Sequence, residues 1–296
     1  MVAVTPLSVA SLLSVKDWVV VVLTKALATN GAKVYITGRR LDVLEKTVRV
    51  HGSLESLGPQ GGSIVPISMD VTSKDSIKSV VDQITQTEGY VNLLVNNAGI
   101  WTTKPNAGPE DGPEAFSKAM FEESIDDWQR AFLTNATSLY FVTAAFLPLL
   151  SKSVSSPTGK MGSVINTTSN SGLLRMSEGS QLAYNVSKSA AVHVTRQLAF
   201  DFSHKNIKIR VNGLAPGWFP SEMTTGGSDD RNESTAQEDA AFQKEMIDMG
   251  ARVPPGRMGN EKDLASALLT LATNEYMWGT ILIVDGGITM SVAGNM

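Results

Sequence analysis

The sequence predicts an α/β fold: one doubly wound parallel sheet flanked by helices, occupying residues 1–296 as a single domain. Three observations carry that reading. Short runs rich in Val and Ile alternate with longer stretches of helical periodicity, the pattern of successive βαβ units. The strand-like runs and the helical stretches between them suffice for a doubly wound arrangement. Several of the runs also finish on Asn, Ser, Thr or Gly, and ligands of such sheets bind beyond the carboxyl ends of the strands.

In chain order, Val19–Val22 reads as the first strand, because a short apolar β-branched run suits a strand buried on both faces. Lys33–Thr37 (KVYIT) is the second. The others are Ser63–Met69, Asn92–Asn96, Gly162–Thr168, Lys208–Leu214 and Ile281–Val284. Helical periodicity covers Leu41–Val50, Ser73–Thr87, Ile125–Leu150, Tyr184–Ser203 and Lys262–Thr273. No internal repeat is visible. Two polar segments, Ser151–Lys160 and Gly226–Asp239, read as mobile loops, and neither separates two cores.

Composition narrows the chemistry. At 42% hydrophobic and 18% charged residues the chain has ample material for a core. A net charge of −4 with no dense Lys/Arg stripe argues against a nucleic-acid partner. With no cysteine, thiolate catalysis, disulfides and Cys-ligated zinc are excluded. His51, His193 and His204 lack metal-ligand spacing, so no metal site is expected. The apolar run Trp18–Leu23 is too short to span a bilayer, and the first residues lack the basic flank of a signal peptide. A cytoplasmic protein acting away from membranes is the expectation.

The chemistry centres on Tyr184-Asn185-Val186-Ser187-Lys188. Residues four apart on a helix stand one above the other on the same face. That spacing presents a phenol and an ammonium together. A phenol titrates near ~10, and a fixed cation beside it lowers that value toward the range useful for proton exchange at neutral pH. The pair alone is weak evidence, since five tyrosines produce one by chance in about a quarter of chains this size. The strand ends add the rest. They read Asn96-Asn97-Ala98-Gly99, then Thr167-Thr168-Ser169-Asn170-Ser171-Gly172, Pro216-Gly217 and Asp285-Gly286-Gly287. Taken singly, each is an ordinary turn or hydrogen-bonded loop.

In that order and at roughly those spacings, the five motifs resemble the short-chain dehydrogenase/reductase family over essentially the whole chain. The resemblance implies a Rossmann-like fold and an oxidoreductase that moves a hydride between a nicotinamide cofactor and a carbonyl compound or secondary alcohol. Tyr184 is then the acid–base, and Lys188 lowers its pKa and holds the nicotinamide ribose. A serine at the end of the fifth strand stabilises the reacting oxygen. Motif context makes that Ser169, which is favoured, whereas the family's usual count back from the tyrosine makes it Ser171. A small insertion near Arg175–Ser180 reconciles the two. Asn135 in Leu133-Thr134-Asn135-Ala136 matches the asparagine that supports the lysine through water. Asp70 and Val71 match the adenine-contacting pair, Asn97, Ala98 and Gly99 line the ribose, and Pro216, Gly217 and Ser221 lie along the nicotinamide. The resemblance further implies a homodimer or homotetramer built on the Ile125–Leu150 and Tyr184 helices. Phe141, Ala144, Phe146, Ala190, Val194 and Leu198 suit either core or interface.

Charge selects the cofactor. The second strand runs into Thr37-Gly38-Arg39-Arg40, where an NAD site places a carboxylate on the ribose hydroxyls. Guanidinium groups at Arg39 and Arg40 suit a 2′-phosphate, so NADP is the expected cofactor. Residues 218–258 occupy the place of the family's substrate loop. There Trp218, Phe219, Met223, Met246 and Met249 could cover an apolar substrate or pack on the core, and Trp101–Glu123 could form the other wall.

One feature departs from the family. A glycine-rich turn of the form T-G-x-x-x-G-x-G should follow the first strand, because backbone N–H groups must approach the pyrophosphate closely. Here Val19–Val22 runs directly into Leu23-Thr24-Lys25, and no glycine precedes Gly31. Leu23–Lys33 is a minimal crossover, so about a dozen residues look lost after Val22. The expectation is weak NADP binding or none, with a catalytically impaired protein acting through association as the alternative.

Overall fold

The computed structural model describes residues 8–12, 18–177, 181–220, 240–241, 244 and 253–291. The chain opens with strand β1 (Ser8–Leu12), helix α1 (Trp18–Ala28), β2 (Lys33–Gly38), α2 (Leu41–His51) and a short α3 (Leu54–Leu57). It continues through β3 (Ser63–Ser68), α4 (Lys74–Thr87), β4 (Leu93–Asn96), α5 (Pro113–Phe121), α6 (Ile125–Phe132) and α7 (Ser138–Ser151). The last part comprises β5 (Ser163–Thr167), α8 (Leu182–Phe202), β6 (Arg210–Pro216), α9 (Glu261–Thr273), β7 (Ile281–Val284) and α10 (Ile288–Ser291). All pairings are parallel, in the order β3-β2-β1-β4-β5-β6-β7. The order reverses at β1, which pairs with both β2 and β4, and there the crevice of a doubly wound sheet opens.

Successive side chains on a strand point to opposite faces, and this alternation divides the core in two. Val34 and Ile36 of β2, Leu93 and Val95 of β4, and Ile165 of β5 pack with α1 and α9. Tyr35, Leu94 and Val164 pack on the other side with α4, α7 and α8.

Six predicted strands hold their places within a residue or two, but the first does not. Val19–Val22 lies within the first turn and a half of α1, and β1 lies upstream. The four valines are buried, Val20 completely, because α1 is covered by the sheet and by α9. A helix buried all round is as uniformly apolar as a buried strand, and periodicity cannot separate the two. The inference of lost residues falls with it, since residues 13–32 give a full-length crossover. The glycine-rich pattern begun at residue 13 puts its glycines on Ser14, Trp18 and Val20, so the length is ordinary and only the chemistry differs.

Two further expectations change. The Ile125–Leu150 helix is interrupted by a π-helical turn at Leu133–Thr137. The Ser151–Lys160 segment is tied down rather than mobile. It forms a 3-10 turn at Lys152–Ser155, and the buried Asn92 Nδ2 donates to Ser153 (2.8 Å), Ser156 (2.9 Å) and Thr158 (3.3 Å). Gly226–Asp239 lies outside the described residues. Among the described residues, one helical stretch, Ile125–Ser155, is long and apolar enough to cross a bilayer, and half of its apolar window is buried inside the fold.

Candidate active site

The strand tips beside the reversal are held by a buried amide network. Asn96 at the end of β4 donates to Thr143 of α7 (3.0 Å) and to Asn166 of β5 (2.8 Å), and Asn166 donates to Thr195 of α8 (3.0 Å). Amides at the end of an apolar run need such partners, and here they bind two strands to two helices. Asn166 belongs to the polar text that ends the fifth strand, whereas Thr143 and Thr195 carry no local signal and only folding brings them to it.

Tyr184 and Lys188 stand one turn apart in the first third of α8, and both are buried. The Lys188 ammonium lies 5.8 Å from the centre of the Tyr184 ring and donates to the Thr167 carbonyl at 3.1 Å. Asn135 reaches the same place from the π turn, a distortion common at functional positions. Its Oδ1 accepts from the Ile100 N–H (2.8 Å), and its Nδ2 donates to the Ile100 carbonyl (3.0 Å) and to Ser187 Oγ (2.9 Å). Gly99 closes the group: a Cβ there would lie 3.3 Å from the Lys188 ammonium and 3.4 Å from Asn135 Oδ1.

The hydroxyl row divides. The Thr168 hydroxyl donates to the Leu214 carbonyl at 3.1 Å and is committed to β6. Ser169 caps a 3-10 turn at Asn170–Gly172, with its Oγ accepting from the Ser171 N–H at 3.1 Å. Ser169 and Ser171 are equally buried. That turn lies directly on α8: a Cβ at Gly172 would come within 2.6 Å of the Lys188 backbone, so only glycine allows the approach. Of the suspected insertion, Arg175–Ser177 is described and residues 178–180 are not.

Pro216 and Gly217 close β6 against the tip of β7. A Cβ at Gly217 would meet Asp285 at 2.5 Å, while the Asp285 carboxylate accepts from the N–H groups of Gly287 (2.9 Å) and Thr289 (2.8 Å). Trp218, Phe219 and Met258 belong to the same corner, together with a cavity of about 460 Å³. Ser221, Met223, Met246 and Met249 lie outside the described residues.

On the other side of the reversal, Arg39 and Arg40 are exposed after β2. Burial pushes the Asp70 carboxyl up, but hydrogen bonds from the Thr72 hydroxyl and N–H, with the charge of Arg39, outweigh it and hold the group below its ordinary value. Arg39 and Asp70 are thus near enough to interact, and Val71 packs on the core beside them. No group of three or more potential metal-ligating side chains occurs among the described residues.

The two ends of this crevice differ in the side chains they present, and residues 13–17, between β1 and α1, lie outside the described residues. Around Tyr184, Lys188, Asn135 and Gly99 the groups converge, and the buried Asn97 Oδ1 has no hydrogen-bond partner among the described residues. At the start of α1, where a pyrophosphate needs bare backbone, buried valines occupy the first turn.

Residues 22–289 match the family model described as enoyl-(acyl carrier protein) reductase. The chain is 36% identical over 275 residues to the short-chain dehydrogenase/reductase PhomF′ of Diaporthe leptostromiformis, covering 90% of this chain and 85% of that one. It is 29% identical over 269 residues to the 3-oxoacyl-[acyl-carrier-protein] reductase FabG of Chlamydia pneumoniae, covering 90% and 91%. Among solved structures, the RhlG/NADP active-site complex of Pseudomonas aeruginosa superposes with a TM-score of 0.73 at 25% identity, over 97% of this chain and 99% of that one.

Proposed function

We propose a specific reaction for this chain, which belongs to the short-chain dehydrogenase/reductase family of oxidoreductases: hydride transfer between NADP(H) and a carbonyl compound or secondary alcohol. The observation that carries the reading is the buried Lys188 ammonium 5.8 Å from the Tyr184 ring. When bound, the nicotinamide supplies or accepts the hydride. Tyr184 gives its proton to the carbonyl oxygen in reduction and takes it back in oxidation. Lys188 lowers the cost of the phenolate that this leaves. Ser169 donates to the same oxygen where negative charge develops. Asn135 acts behind them, fixing Ile100 and the Tyr184 helix relative to each other.

The cofactor would lie along residues that the fold distributes over the strand tips. Arg39 and Arg40 offer bidentate donors to a 2′-phosphate, Asp70 and Val71 border the adenine, and Asn97, Ala98 and Gly99 line the ribose. Pro216 and Gly217 are read as the nicotinamide side, together with Ser221, which lies outside the described residues. Support for NADP comes from the two arginines and from the NADP complex of the solved relative. Support for a carbonyl substrate comes from the oxoacyl reductase relative. The protein is further read as cytoplasmic, with no nucleic-acid or membrane partner, and as a homodimer or homotetramer.

The test is reduction of a ketone panel with NADPH. Tyr184→Phe should lower the rate by roughly 10²- to 10⁴-fold while leaving the fold intact. A Michaelis constant for NADH below that for NADPH would overturn the role of the arginines. The valine-lined start of α1 favours a second reading, a family member that only associates with partners. NADPH fluorescence distinguishes them: no binding up to millimolar cofactor in a normally assembled protein would support it.

A further inference from the structure

Trp101 and Tyr184 meet edge to face, with ring centres 5.8 Å apart and planes at 77°. The two residues come from different elements, and the contact is enforced by a closed circuit. Ser187 donates to the Tyr184 carbonyl (2.7 Å) and accepts from Asn135, and Asn135 grips both the N–H and the carbonyl around Ile100. Trp101 follows that two-point clamp by one residue, so the chain leaves β4 with its direction already set. The circuit ends where it began, on the Tyr184 ring.

Exposure is divided unequally within the pair. Tyr184 is 8% exposed, whereas Trp101 is 40% exposed. The edge contact therefore covers only part of Trp101, and a large share of the residue stays exposed while its ring touches that of Tyr184. On the next residue, Asn185 Nδ2 donates to the Met176 carbonyl at 3.2 Å, and Met176 is itself 46% exposed. Exposed apolar surface held rigidly next to a buried polar group has the composition of a small-molecule site: a flat wall with one polar anchor.

We propose that Trp101 is the substrate wall of this site and that it selects a flat aromatic or conjugated carbonyl compound over a flexible aliphatic one. The inference rests on Tyr184 as the proton donor and adds the class of molecule it serves. A planar π system can stack on or meet the indole at its favoured offset or edge geometries. An alkyl chain of the same carbon count gains no such term and loses more rotational freedom on binding.

The experiment compares acetophenone with methyl hexyl ketone, which have the same carbon count, in the wild-type chain, Trp101→Phe and Trp101→Ala. The wild type should prefer acetophenone, Trp101→Phe should keep most of that preference, and Trp101→Ala should lose about 3- to 10-fold of it, through KM rather than kcat. An equal loss on both ketones, or an unchanged ratio in Trp101→Ala, would overturn the proposal by making the indole a structural element only. Quenching of tryptophan fluorescence by each ketone is measured in parallel without cofactor. If no ketone is turned over but acetophenone quenches the wild type and not Trp101→Phe, the wall stands and the redox reading falls. If turnover proceeds in the wild type with no aryl preference, the wall falls alone.

Discussion

The Asn135 amide makes three hydrogen bonds that join the β4 exit, the π turn and the Tyr184 helix. Asn135→Ala leaves the Ile100 N–H and carbonyl without partners in a partly buried site, which should cost about 1–3 kcal/mol. Urea unfolding should show a lower midpoint with an unchanged slope. Asn135→Asp keeps the acceptor for the Ile100 N–H but loses both amide donations, so it should fall between the two. The role of this residue was legible only by family order, because a lone asparagine in an apolar helical pattern carries no local signal. Its π turn was not legible at all: the distortion re-aims one side chain toward partners distant in sequence, and residue type does not encode that. Tyr184 and Lys188 lie at the opposite extreme, since the i, i+4 relation is a property of any helix.

At the scale of elements, α1 decides the most. A phosphate-binding helix start needs backbone without side chains, and here the second and third residues of the helix are buried valines. Trp18→Gly/Val20→Gly puts glycines where the family pattern places its last two. Glycine within a helix costs about 1 kcal/mol, and losing the buried valine adds roughly 1.5–3 kcal/mol, so the melting temperature should drop. NADPH affinity, followed by cofactor fluorescence, should nevertheless rise. An unchanged dissociation constant would mean that the pyrophosphate is held elsewhere. The strand assignment failed at this element for a stated physical reason, that total burial erases the 3.6-residue period. It held at β2, β3, β4, β5 and β7, where β-branched runs sit between clear turn residues. At β6 it started two residues early, before Arg210, whose guanidinium is buried and donates to the carbonyls of Leu271, Ala272 and Met277. That cation fastens the end of α9 to the sheet.

At the scale of the whole molecule, the two long helices bear on assembly. Of the six apolar residues on the two long helices, Phe146 and Leu198 belong to the core. Other residues there remain outside it: Tyr140, Val186 and, at 80% exposure, Phe200. Sedimentation velocity at micromolar concentration should find a dimer or tetramer, and Phe200→Glu on α8 should shift the distribution toward monomer. A wild-type monomer at that concentration would remove the assembly proposal without affecting the chemistry of Tyr184.

By itself, the sequence determined the order of the strand tips, the polar residues at their ends and the one-turn spacing of Tyr184 and Lys188. Those are local properties, set by backbone periodicity and by neighbours in the chain. Tertiary structure alone decided that Val19–Val22 is a helix, that a full crossover precedes β2, and that Asn135 grips Ile100 so that Trp101 meets Tyr184. Each of these depends on burial and on partners tens of residues away, where folding energy comes from contacts that no window of sequence contains.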